Sequence, residues 1–202
     1  MITTLLQRYP VLNVCADDIE RTYNTIKHCF ESDCRLYIIG NGGSAADALH
    51  IVGELAKPFV LERQLDKSFA ERVSPVLAAN LFGALPAFAL VENAAFVTAF
   101  INDCNPDYIY AQQVYAYARE GDCVLGISTS GNSANIVFAI EAAKGRGANT
   151  LGLTGAQGGK LKELCDVCIC VPETETYKIQ ELHLPVYHAL CLALEEHFWG
   201  IN

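Results

Sequence analysis

His50 and Glu54 stand one helical turn apart in the run AADALHIVGEL, residues 45–55, which places an imidazole and a carboxylate on one face of a helix. Such a pair can move protons near neutral pH, or offer nitrogen and oxygen to a cation. It can equally be a solvated surface pair, so the neighbouring sequence has to decide. Just upstream, Gly40-Asn41-Gly42-Gly43-Ser44 follows a short apolar run at 36–39. Glycines there let the backbone take positive φ and approach a ligand closely. Ser44 sits where the helix N-cap is predicted. The free N–H groups and partial positive charge of a helix start attract an anion. The unit therefore combines a phosphate cradle at one end of a helix with acid–base groups further along it. It is neither GxGxxG nor a P-loop, and no Lys follows the glycines, which argues against a nucleoside triphosphate.

A second loop strengthens the phosphate reading. Ser128-Thr129-Ser130-Gly131-Asn132-Ser133 packs four hydroxyls and a glycine into six residues at a predicted strand-to-helix turn. Hydroxyls and backbone N–H groups can hold a phosphate monoester without a bulky cation, although serines are also ordinary turn and cap residues.

The elements that must position these groups alternate. Residues 3–30 read as mostly helical, interrupted at Pro10. Strands are predicted at 35–39, 86–91, 123–128, 150–154 and 167–171. Helices are predicted at 44–58, 93–101, 106–120, 134–144, 160–164 and 177–198, the last with Pro185 inside it. Residues 59–85 show no clear period and read as a helical excursion between sheet elements. Strands alternating with helices imply an α/β fold, a three-layer sandwich with a five-stranded parallel sheet flanked by helices of Rossmann or flavodoxin type. Loops after the strands then gather at the carboxyl edge, where such sheets bind ligands. A single domain over 1–202 is expected, with an N-terminal helical segment at 1–33 and the core at 34–202.

Composition excludes other classes. The chain is 51% hydrophobic, 18% charged and carries a net charge of −9, so general nucleic-acid binding is not expected. No uncharged run reaches the ~18 residues of a membrane span, and the start MITTLLQRYP lacks signal-peptide order. Nine cysteines, an odd number without framework spacing, read as reduced thiols of a cytoplasmic protein. Cys165-x-x-Cys168-x-Cys170 invites a metal reading, but DVCICV is equally a buried strand with Cys168 and Cys170 on one face.

GNGGSAADALH, GISTSGNSANIVFAIEAAK, LTGAQGGKL and KIQELHLPVYHALCLALEE resemble the sugar isomerase (SIS) domain family, and within it the phosphoheptose isomerase branch, over residues 35–198. The STSGNS loop is the most specific of these motifs. The resemblance implies a homotetramer with sites at subunit interfaces and a sugar phosphate as substrate. It implies substrate contacts from Asn41, Gly42, Gly43, Ser44, Asp103, Ser128, Thr129, Ser130, Ser133 and Gln180. It further implies catalysis by Glu54 and His188, and Zn²⁺ on His50, Glu54, Gln180 and His188. Helix geometry does not itself select His188: from Gln180, His183 lies about 60° round and His188 about 80° round and roughly 12 Å along. The family pattern selects it.

The implied reaction interconverts sedoheptulose 7-phosphate and an aldoheptose 7-phosphate through an enediol. That needs a base for the carbon acid, an acid for the oxygen, and stabilisation of the enediolate. Two segments depart from the branch pattern. Ala56-Lys57-Pro58-Phe59 replaces the usual Arg-containing segment after the helical Glu, and Tyr177-Lys178-Ile179-Gln180 replaces an Asp-Arg-Ile-Gln-like run. A regulatory or sensing SIS protein without turnover is the alternative. It predicts erosion of the His50, Glu54, Gln180 and His188 set, and all four residue types are present.

Overall fold

The computed structural model describes residues 1–200. Five strands, β1 (Leu36–Gly40), β2 (Ala87–Ala89), β3 (Cys123–Ile127), β4 (Asn149–Thr154) and β5 (Val167–Cys170), form one sheet in the order β2-β1-β3-β4-β5. Every pairing is parallel. The helices are α1 (Ile2–Arg8), α2 (Ala16–Glu31), α3 (Gly43–Ala56), α4 (Lys67–Ala70), α5 (Pro75–Ala78), α6 (Ala94–Asp103), α7 (Ile109–Tyr117), α8 (Ala134–Gly145), α9 (Gly159–Leu164) and α10 (Thr176–Trp199). The order reverses between β1 and β3, so the chains leaving those strands diverge and open a crevice at the carboxyl edge.

Period-two alternation sorts the strand residues onto two cores. On one face, Leu36, Ile38, Leu125, Leu151 and Ile169 pack with Ile19 and Ile26 of α2, Ile51 and Leu55 of α3, and Val186, Leu190 and Leu194 of α10. On the other, Tyr37, Ile39 and Val124 meet Val114 of α7, Ile136 and Ile140 of α8, and Leu161 of α9. With both faces covered, β1 and β3 are buried throughout, which explains their unbroken apolar runs. Losing one such side chain, for example Ile38→Ala, costs about 2–5 kcal/mol.

Three expectations need correction. Residues 59–85 are not a helical excursion: α4 and α5 are single turns, capped by Asp66 and Ser74, in otherwise irregular chain. What orders the start of that stretch is a buried ion pair. Arg63 Nε donates to Glu195 Oε1 at 2.7 Å, and its NH1 and NH2 groups donate to the carbonyls of Leu55 and Glu54. Glu195 also accepts from the backbone N–H groups of Phe59, Val60 and Leu61. Second, Ser44 is not the N-cap of α3. Gly42, at φ 54, fills that place, and its carbonyl accepts from the N–H groups of Ala45 and Ala46. Ser44 lies one residue inside the helix and is buried. Third, the helix predicted at 106–120 opens with a 3₁₀ turn, Pro106–Tyr108, and ends at Tyr117. The Asp122 carboxylate draws the chain out by accepting from the N–H groups of Arg119 and Arg35, each at 2.8 Å.

The apolar face of α10 is covered mostly by its own chain: Tyr187, Leu190, Cys191 and Leu194 are buried, and Leu184 is exposed. All nine cysteines are free thiols.

Candidate active site

The chemistry-bearing side chains come from two helices that cross near the crevice. Helix α3 presents Asp47, His50 and Glu54 at spacings of three and four, hence on one face. Helix α10 presents Gln180, Tyr187 and His188 against it. His50 Nε2 lies 3.3 Å from Glu54 Oε1 and 3.4 Å from His188 Nε2. On the other side of the ring, His50 Nδ1 is 3.1 Å from the Tyr187 hydroxyl, which donates to Asp47 Oδ1 at 3.3 Å. Lys57 Nζ sits 2.7 Å from Glu54 Oε2, so one carboxylate oxygen is held by a cation and the other faces His50. The Phe59 ring stands 5.5 Å from that of His188.

Burial grades these groups. The Glu54 side chain is 13% exposed and that of His50 42%, which puts the carboxylate at the floor and the imidazole at the mouth. Burial, aided by His50, pulls the His188 pKa below the usual imidazole value, and Glu54 opposes that shift. Burial also raises the Tyr187 pKa, with help from Asp47, so its hydroxyl keeps its proton and acts as a donor. Desolvation raises the Asp47 pKa, and the Tyr187 hydrogen bond partly offsets this.

Two loops close the other end of the crevice. Gln180 lies so close to Gly43 that a β-carbon there would meet its side-chain amide and push it aside. In the second loop Ser128 and Ser133 hydroxyls are 3.0 Å apart, and Ser130 Oγ accepts from the Asn132 N–H. Gly131, at φ 65, packs against the Gly158 carbonyl and allows this loop to meet the one after β4. Thr129 and Ser130 line a cavity of ≈ 160 Å³ together with Gly155, Gln157, Glu173 and Thr176. Asn41 ties the first loop to the first turn of α8, just after the second loop: its amide and that of Asn135 exchange two hydrogen bonds of 2.9 Å. A larger cavity of ≈ 530 Å³, between Tyr37, Phe88, Glu92 and Tyr117, contains none of the predicted site residues.

The structure thus brings together His50, Glu54 and His188, places Gln180 on the start of α3, and gathers Asn41, Gly42, Gly43 and Ser44 opposite Ser128, Thr129, Ser130 and Ser133. It does not bring Asp103 to them. That residue ends α6, is exposed, and its carboxylate accepts from neighbouring Asn102. His183, the rival of His188 on helix geometry, points into the core, fully buried, and neither ring nitrogen has a hydrogen-bond partner among the described residues. Sequence reasoning missed Asp47, Tyr187 and Asn135. A signal for Asp47 existed in its spacing, three before His50 and seven before Glu54.

The donor set can be compared with a zinc centre. Ligands of a tetrahedral zinc with bonds of about 2.0–2.1 Å stand about 3.3–3.4 Å apart, and the two distances from His50 Nε2, 3.3 and 3.4 Å, match such edges. Among the described residues, however, no three His, Cys, Asp or Glu already form a metal-binding cluster. The donor types and these two edges fit.

Comparison with known proteins agrees with the fold. The SIS domain model matches residues 93–193, and the chain belongs to the SIS domain family. The phosphoheptose isomerase of Rhodospirillum rubrum is 40% identical over 185 residues, 92% of this chain and 88% of that protein. That of Aneurinibacillus thermoaerophilus is 39% identical over 178 residues, 88% of this chain and 80% of that protein. A solved phosphoheptose isomerase from Francisella tularensis superposes with a TM-score of 0.80 at 29% identity, covering 96% of this chain and 94% of that one. One from Neisseria gonorrhoeae gives 0.77 at 31%, covering 96% and 93%. Within the SIS family the chain falls in the phosphoheptose isomerase branch.

Proposed function

We propose that this protein is a phosphoheptose isomerase, interconverting sedoheptulose 7-phosphate and an aldoheptose 7-phosphate, and that it works as a cytoplasmic homotetramer with Zn²⁺ as cofactor. One observation carries the reading: His188, on a helix far along the chain, meets the His50–Glu54 pair at 3.4 Å beside a hydroxyl-rich loop. The phosphate is assigned to the start of α3 and to Ser128, Thr129, Ser130 and Ser133, where hydroxyls and N–H groups converge. Glu54 takes the proton from carbon and returns it to the neighbouring carbon. His188 serves the oxygens, its lowered pKa favouring the neutral ring that can both accept and release a proton. Gln180, lying over Gly43, orients the substrate between the two ends. His50, Glu54 and His188 would hold Zn²⁺, joined by Gln180 once its side chain swings away from Gly43, and the ion when bound would stabilise negative charge on the substrate oxygens.

Assembly is supported by exposed apolar groups at the edge of the sheet and on α6: Phe88 is 47% and Ile101 52% exposed. Light scattering at micromolar concentration gives a tetramer on this reading, and a monomer rejects it. For the activity, the purified protein is incubated with sedoheptulose 7-phosphate and with pentose and hexose phosphates, with and without Zn²⁺. Conversion of the heptulose phosphate, greatest with Zn²⁺, is expected. Binding by calorimetry without turnover of any sugar would replace the isomerase by a sensor.

A further inference from the structure

The groups behind His50 have no part in the steps above, yet they are arranged in a line. Tyr187 is 2% exposed, and its hydroxyl bridges Asp47 Oδ1 and His50 Nδ1. The second oxygen, Asp47 Oδ2, is buried without a hydrogen-bond partner among the described residues. An ionised carboxylate only accepts, so the single hydroxyl proton of Tyr187 goes to Asp47. The hydroxyl oxygen is then left as an acceptor toward His50, and Nδ1 must carry the ring proton. The Nε2 lone pair consequently faces Glu54 Oε1 at 3.3 Å and His188 Nε2 at 3.4 Å.

We infer that Asp47 and Tyr187 are positioning residues, which through one directed hydrogen-bond chain hold His50 in the Nδ1–H tautomer and aim its Nε2 lone pair into the reaction centre. This rests on the assignment of His50 to that centre. A chain of this polarity is what an imidazole needs if its far nitrogen is to bind a cation or accept a hydroxyl proton. Simple core packing of Tyr187 would require its ring, which also stands edge-on to His50 and His188, but not its hydroxyl.

The test separates ring from hydroxyl. Tyr187→Phe keeps the ring and its packing, while Asp47→Ala frees the Tyr187 proton to be donated to His50 Nδ1. The imidazole ¹⁵N resonances of His50, assigned by their loss in His50→Gln, report the tautomer in resting protein without substrate or metal. The wild type is expected to show Nδ1–H, Tyr187→Phe a mixture, and Asp47→Ala a shift to Nε2–H. Zn²⁺ affinity by chelator competition is expected to fall about 10–100-fold in both variants. A His50 tautomer unchanged in both variants overturns the proposal, even if activity falls, because a structural role alone would then explain the loss. If the tautomer shifts as stated but the wild type turns over no sugar phosphate, the isomerase reading fails and this one stands.

Discussion

Replacing Glu195 by glutamine isolates the element that builds one wall of the site. The Glu195 side chain is 1% exposed and collects four donors. Phe59 N–H at 2.8 Å and Arg63 Nε–H at 2.7 Å reach one oxygen, and Val60 N–H at 2.9 Å and Leu61 N–H at 3.1 Å reach the other. Glutamine offers a single oxygen, and its amide NH₂ must then face two N–H donors. Two of the four accepted bonds are lost, each worth about 1.5–3 kcal/mol because the acceptor is charged. The buried Arg63 guanidinium also loses its counter-charge. The expected loss is about 3–6 kcal/mol, a large part of the roughly 5–15 kcal/mol that holds a domain folded. Equilibrium urea unfolding followed by circular dichroism measures it, at one fixed protomer concentration, since association adds to apparent stability. A loss below about 1 kcal/mol with an unchanged slope would refute the reasoning and reduce the ion pair to a bystander.

Other outcomes follow from the same structure. Ser130→Ala and Ser133→Ala should each weaken sugar-phosphate binding about 10- to 100-fold by calorimetry while the fold persists; unchanged affinity in both displaces the phosphate from this loop. Glu54→Gln should lower isomerisation by about 10²–10⁴-fold with binding retained. Bound zinc measured on the same preparation tells a proton-transfer role from a ligand role, and full activity moves the active site elsewhere. His183 supplies a pH dependence: burial pushes its pKa from 6.5 down to about 4. The unfolded chain takes up that proton first, so the contribution is complete above pH 6.5 and is lost as pH falls toward 4. The difference amounts to about 3 kcal/mol. Thermal melts from pH 7 to 4 should fall less steeply in His183→Leu than in the wild type, and parallel curves would contradict it.

Much of this architecture could be read from residue order because each signal was local. The apolar runs at β1 and β3 each end in a glycine-containing loop, and a sheet covered on both faces demands such runs. The segment 59–85 was not legible, because the order of its start comes from Glu195, more than a hundred residues away, and no local period records that contact. His183 and His188 show the same limit. Angles round a helix say which residues share a face, but α10 touches the sheet on one side and α3 on another, so two histidines at similar angles meet different surroundings. Tyr187 looked like one more apolar position, and its hydroxyl acquires meaning only when α3 brings Asp47 and His50 to it.

Under the proposed placement of the substrate, the paired amides of Asn41 and Asn135 carry a consequence for it. Two carboxamides that exchange a pair of hydrogen bonds form a ring with no preferred polarity. Turning both over together restores the same two bonds while the outer N–H of one and the outer lone pair of the other trade places. The seam between the first loop and α8 can therefore show either a donor or an acceptor to what lies against it, with no change in how firmly the two are joined. An aldose and its ketose differ in just this respect, since a carbonyl acceptor on one carbon becomes a hydroxyl donor while its neighbour does the reverse. An aspartate at either position would accept without donating, and the seam would then favour one sugar over its isomer.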